Sequence, residues 1–103
     1  MIMAAPEDLE IRRWRGLPPK RLLRESWDEA SLLYHRDSGE THLLGPLADQ
    51  ALLLLQEAPM SIDQLAERLA TLCETEADVR WRQRIETLVA ELAALELVEP
   101  ADP

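Results

Sequence analysis

The chain runs in two hydrophobic rhythms, and the change between them divides it. Up to Leu44 apolar residues fall in short runs between turn-forming residues; beyond Gly45 they recur every three or four positions. In the first half, Ile11 to Pro19 reads as extended, because Pro18-Pro19 disfavours helix on its N-terminal side. Lys20 to Trp27 has the length of a short strand. Ser31-Leu-Leu-Tyr-His35 and Glu40-Thr-His-Leu-Leu44 are stronger strand candidates. Arg36-Asp37-Ser38-Gly39 joins them as a hairpin loop in which Gly takes positive φ without steric cost. Pairing His35 with Glu40 sets Leu32 opposite Leu43 and Tyr34 opposite Thr41 on one side of the ribbon. Leu33 and His42 then share the other side with His35, Glu40 and Leu44. The first side is the more apolar and is expected to face the core. The second is expected to be partly covered, with the Trp14 segment shielding some of it.

The second half is helical. Gly45-Pro46 opens a helix over 46–57, with Pro at the first helical position where its missing N–H costs nothing. Leu47, Ala48, Ala51, Leu52, Leu53, Leu54 and Leu55 make it apolar nearly all round, the mark of a central helix, and Pro59 stops it. Ser61-Ile62-Asp63-Gln64 is a capping box. Behind it Ile62, Leu65, Ala66, Leu69 and Cys73 form one face of a helix over 62–73. A last helix near 76–96 carries Trp81, Ile85, Leu88, Val89, Leu92 and Leu95 on one stripe, and Leu97 to Pro100 end the fold. Two or three antiparallel strands followed by a three-helix cluster is a small α+β domain of winged-helix type.

Composition narrows the function classes. At 103 residues the chain is expected to form one domain, with its core over about 12–99 and frayed ends at 1–8 and 100–103. Its charge is 11 − 20 = −9, which argues against nucleic acid as a partner because phosphate backbones are repelled. No apolar run reaches the roughly 18 residues of a membrane helix. Met1 to Pro6 lacks the basic start and long apolar stretch of a signal peptide, so a cytoplasmic protein without a membrane partner is expected. Cys73 is the only cysteine, which excludes an intramolecular disulfide and a multi-Cys zinc site; its apolar spacing reads as a small buried side chain. The closest glycines, Gly39 and Gly45, are too far apart for a phosphate-cradling loop.

Three kinds of chemistry remain to be weighed. His35, Glu40 and His42 share one side of the hairpin and have the donor types of a metal site, yet they sit at an exposed ribbon end beside a turn. They read as a solvated polar patch, and no catalytic residue, metal ligand or cofactor site is expected. A winged helix-turn-helix transcriptional regulator, or another protein-interaction module, is the alternative function. Its reading helices would carry Asp63, Glu67 and Arg68, then Arg80, Arg82 and Arg84 opposed by Glu74, Glu76 and Asp78. The third option is strand addition. Glu40 to Leu44 is an expected sheet edge with unpaired backbone groups. Ile85 and Leu88 of the last helix offer an apolar floor opposite it, and Arg80 and Arg84 a basic rim. A peptide or a second copy of the chain would satisfy that edge, so oligomeric state stays open.

The chain resembles the PqqD-like peptide chaperones, also called RiPP recognition elements, and within them the subgroup found beside HPr-kinase-related proteins. The matching stretches are Trp14-Arg15-Gly16-Leu17-Pro18, Trp27-Asp28, Leu32-Leu33-Tyr34, Ser38 to Leu44, Gly45-Pro46-Leu47-Ala48, Ala58 to Ile62 and Leu92 to Val98, across roughly 12–99. Gly45 stands at a junction where the family often has Asn. The resemblance implies a non-enzymatic module that binds the leader part of a ribosomal precursor peptide. It would present that peptide to a modifying enzyme, HPr-kinase-related or a radical enzyme, encoded nearby. It also implies leader binding by strand addition between the third strand and the third helix. The peptide-binding residues would be Thr41, His42, Leu43 and Leu44, with Arg80, Arg84, Ile85 and Leu88 opposite.

Overall fold

The computed structural model describes residues 12–28 and 30–101; of the ends expected to fray at 1–8 and 100–103, residues 1–8 and 102–103 lie outside the described residues, whereas Pro100 pairs with Trp14 and the Ala101 N–H donates to the Arg13 carbonyl oxygen at 3.0 Å. Strand β1 (Arg13–Gly16) leads through a single 3-10 turn (Pro19–Arg21) into β2 (Leu22–Trp27), β3 (Ala30–His35) and β4 (Thr41–Leu44). Helix α1 (Pro46–Glu57), the two-residue β5 (Met60–Ser61), α2 (Ile62–Leu72), α3 (Val79–Ala94) and β6 (Val98–Pro100) follow. The result is a mixed α+β domain with its strands in two three-stranded sheets. One is ordered β2-β3-β4, the other β5-β1-β6. Among the described residues no helix is long and apolar enough to cross a membrane.

The hairpin has the expected register, Leu32 opposite Leu43, Leu33 opposite His42 and Tyr34 opposite Thr41. Gly39, at φ 78°, closes the turn and donates its N–H to the His35 carbonyl oxygen at 2.8 Å. The face is inverted relative to expectation. Leu33, His35, Leu44 and, from β2, Leu22 are buried, whereas Leu23, Trp27, Tyr34 and Leu43 are 47%, 52%, 42% and 66% exposed. The side chosen as core for its apolar content therefore faces outward. The cause lies in His35 and Ser31, polar residues of the inner face whose side chains find hydrogen-bond partners inside. His35 is 2% exposed, not at an open ribbon end. Its Nε2–H donates to the Glu96 carbonyl oxygen at 3.1 Å, and its Nδ1 accepts from the Ser38 N–H at 3.3 Å. Ser31 donates to Asp49 Oδ2 at 2.8 Å, and Arg24 Nη1 bonds the other oxygen of the same carboxylate.

The Trp14 segment does not shield the hairpin. β1 pairs antiparallel with β5 and β6, in the centre of the second sheet, and packs on α1. That contact is close. A Cβ at Gly16 would lie 2.7 Å from Gln56 Cγ and 3.1 Å from the Gln56 backbone nitrogen. Gln56 Nε2 donates to the Leu17 carbonyl oxygen at 2.8 Å, and the Leu17 N–H donates to Leu97 O at 3.0 Å, which ties both ends of the chain to α1.

Helix boundaries follow their caps. Ser61 and Gln64 form the reciprocal capping box at the start of α2. The last helix begins at Val79, three residues later than expected, because the Asp78 side chain accepts from the Trp81 N–H at 2.8 Å and so fixes the N-cap. Cys73 is an exposed C-cap residue, not a core one. The chain leaves the α2 axis there, Glu74 at φ 55° ends the turn, and the buried face closes with Leu69 and Ala70. The core gathers Leu33 and Leu44 of the hairpin, Leu52 and Leu55 of α1, Leu65 and Leu69 of α2, and Ile85, Val89 and Leu92 of α3.

Candidate functional site

β4 is an edge. It pairs with β3 on one side and ends the sheet on the other. The His35 N–H donates to Glu40 O at 2.8 Å, and hydrogen-bonded pairs alternate along an antiparallel ladder. His42 therefore exchanges its backbone bonds with Leu33, while the peptide groups of Thr41 and Leu43 point to the open edge. These two residues carry the unpaired donors and acceptors that an added strand would use.

Beside the end of β4 lies an open cavity of about 520 Å³, lined by Gly45, Pro46, Leu47 and Ala48 on one wall and by Arg84, Thr87, Leu88 and Glu91 of α3 on the other. The strand-to-helix junction builds the first wall. Gly45 is extended (φ −75°, ψ 178°) and Pro46 starts α1 at once, so the chain turns from edge strand to helix with no intervening loop. Helical periodicity builds the second wall, since positions 84, 87, 88 and 91 lie on one stripe.

The residues expected at the site divide by depth. Thr41 and Leu43 are exposed on the edge, and Leu44 is buried in the core at its end. His42 is partly buried, its side chain 13% exposed, and faces the helix side of the sheet; its Nε2 has no hydrogen-bond partner, with Glu40 Oε1 3.5 Å away. Ile85 is fully buried on the inner face of α3, whereas the half-buried Leu88 reaches the cavity surface. Arg80 and Arg84 are both exposed on α3. Arg84 lies over the Trp81 ring at 5.8 Å, and Trp81 is itself fixed by its Nε1–H bond to the Ala66 carbonyl oxygen at 2.8 Å. Arg82, between them in sequence, is occupied elsewhere by Asp63 of α2 and by Glu86 one turn on. Sequence reading missed the other half of the cavity. Thr87 and Glu91 continue the Arg84 stripe at helical spacing, and Gly45 to Ala48 directly follow the edge strand.

Both His35 nitrogens are engaged by backbone groups, so His35, Glu40 and His42 do not converge as ligands. Among the described residues no group of three His, Cys, Asp or Glu side chains could hold a metal ion.

No family model matches the chain, and no curated protein matches it. Among solved structures, the chain is similar to TbiB1 in complex with the TbiA(beta) leader peptide, with a TM-score of 0.67 at 15% identity over 86% of this chain and 99% of that one. At that identity the likeness is one of fold, and the α+β architecture described above is the fold of TbiB1.

Proposed function

We propose that this chain is a PqqD-like RiPP recognition element: a non-enzymatic adaptor that binds the leader segment of a precursor peptide and presents it to a modifying enzyme. The observation that carries the reading is the open β4 edge with a cavity at its end that holds both apolar and charged side chains, in a fold shared with a protein captured with a leader peptide. The leader adds as a strand along β4, taking backbone bonds from Thr41 and Leu43. Alternate side chains on the His42 side point toward Leu88, and those on the other side lie over the exposed Leu43 and Tyr34. Arg80 and Arg84 supply a positive rim to a chain whose net charge is −9 and favour an acidic residue in the leader. The modifying enzyme expected from the resemblance is HPr-kinase-related or a radical enzyme. The regulator reading fits less well. The exposed side of α2 presents Asp63 and Glu67, and Arg82 is already paired.

The test is a titration of isotopically labelled protein with the synthetic leader of a precursor encoded beside this chain. Amide shifts should concentrate at residues 41–44 and along 80–91. Binding that leaves these amides unmoved overturns the site, and failure to bind any such leader overturns the function.

A further inference from the structure

The cavity at the end of β4 is electrically two-ended. On the α3 stripe, Arg84 lies one turn before Leu88 and Glu91 just under one turn after it, and all three line the same cavity. Arg80, exposed a further turn before Arg84, extends the positive end. Neither Arg84 nor Glu91 has an ion-pair partner among the described residues; Arg84 only overlies Trp81. Exposed charges of opposite sign in one groove, seven residues apart and each unpaired, leave two complementary positions for a ligand.

We infer that the groove selects, within the leader, a segment with an acidic side chain, an apolar side chain and a basic side chain at alternate positions, spaced i, i+2 and i+4. This rests on the peptide-binding reading above and deepens it. The distances agree with an extended segment running along α3. Arg84 and Glu91 are about 10.5 Å apart along the helix axis at about 1.5 Å per residue. Residues i and i+4 of a strand are about 13 Å apart on one face. The long arginine and glutamate side chains take up the difference. The central residue meets Leu88, Leu47 and Ala48, which are apolar and half-buried, and an apolar side chain there loses contact with water at no polar cost. The leader is thus read as a local charge pair around one apolar anchor, not as an acidic peptide in general. The order of acid and base along it also fixes which way the added strand runs.

The test is selection of a displayed random peptide library on the full chain and on the double variant Arg84→Glu/Glu91→Arg. Both positions are exposed and unpaired, so the exchange keeps net charge and fold, which circular dichroism verifies. Wild-type protein should enrich peptides with an acidic and a basic residue four apart and an apolar residue midway, and the double variant should enrich the same spacing with the order reversed. A synthetic winner with its two charges exchanged should bind wild type about tenfold more weakly and the double variant about tenfold more tightly, as expected for two rim ion pairs turned from attraction to repulsion. Enriched peptides without this charge order, or the same order from both proteins, overturn the inference and leave peptide binding standing. No enrichment on wild type overturns the peptide-binding reading and the inference with it.

Discussion

Gly16 shows how one missing methyl group fixes a layer. Its Cα faces α1 so closely that a Cβ would meet Gln56 Cγ at 2.7 Å and Leu52 Cδ1 at 3.0 Å. The side-chain end of Gln56 could give way, but its backbone nitrogen, 3.1 Å off, could not without moving α1. Gly16→Ala should therefore cost about 1–3 kcal/mol in chemical denaturation, the range for overpacking a tight contact. A stability equal to wild type would show that β1 does not seat there. Burial lowers the Arg24 pKa from its ordinary value, and its Nη2 has no partner, so the guanidinium depends on Asp49 and Ser31. Asp49→Ala removes the carboxylate that both donate to and should cost about 2 kcal/mol, below the figure for full burial because the side chains are 23% and 17% exposed. Replacing the pair together, Arg24→Met with Asp49→Leu, should stay within about 1 kcal/mol of wild type, since no unpaired charge is left behind. If the single change is as mild as the double, the pair does not hold β2 to α1.

At the scale of elements, β4 performs two tasks with alternate residues. His42 bonds inward to Leu33, and Thr41 and Leu43 face the edge, so a proline separates the tasks by position. Leu43→Pro removes an edge donor while sparing the ladder to β3. It should keep the fold and weaken leader binding about fivefold to tenfold, the worth of roughly one backbone hydrogen bond. Calorimetry with the synthetic leader checks it, and unchanged affinity would rule out strand addition along β4. The same element shows what sequence could and could not tell. Register was legible, because the Asp37-Ser38-Gly39 turn and strand lengths admit one pairing. So were α1 and α2, whose caps and stops are written in Gly45-Pro46, Pro59 and the Ser61/Gln64 box. The buried face was not legible. Apolar count favoured Leu32, Tyr34 and Leu43, while burial followed long-range partners such as Asp49 for Ser31 and Glu96 O for His35, which no local pattern reveals. β5 and β6, two and three residues long, are too short for periodicity to register. At the site, the Arg84–Leu88 stripe was readable from spacing. Its pairing with the wall at Gly45 to Ala48 needed the crossing of α1 and α3.

For the whole molecule, charge sets two ranges of force on an approaching peptide. The chain carries −9 overall, and several of its arginines are already neutralised by neighbours: Arg15 by Glu99, Arg21 by Asp37, Arg24 by Asp49 and Arg82 by Asp63. On α3 this leaves Arg80 and Arg84 as a short positive stripe within a negative field. The field acts over the Debye length, about 30 Å at 0.01 M salt and about 10 Å at 0.1 M, while contact pairs at the groove act over a few ångströms. A leader with net negative charge therefore feels repulsion from the whole chain at low salt. Near 0.1 M that repulsion is screened and the local attraction of Arg84 remains; toward 1 M, where screening reaches about 3 Å, the local pairs weaken as well. Its affinity should rise and then fall across this range, by about threefold in each direction, when followed by fluorescence anisotropy. A leader of equal length with balanced charge lacks the long-range term and should only decline. If the acidic leader also declines from the lowest salt upward, the α3 stripe dominates at every distance. The net charge of −9 would then have no part in choosing the partner.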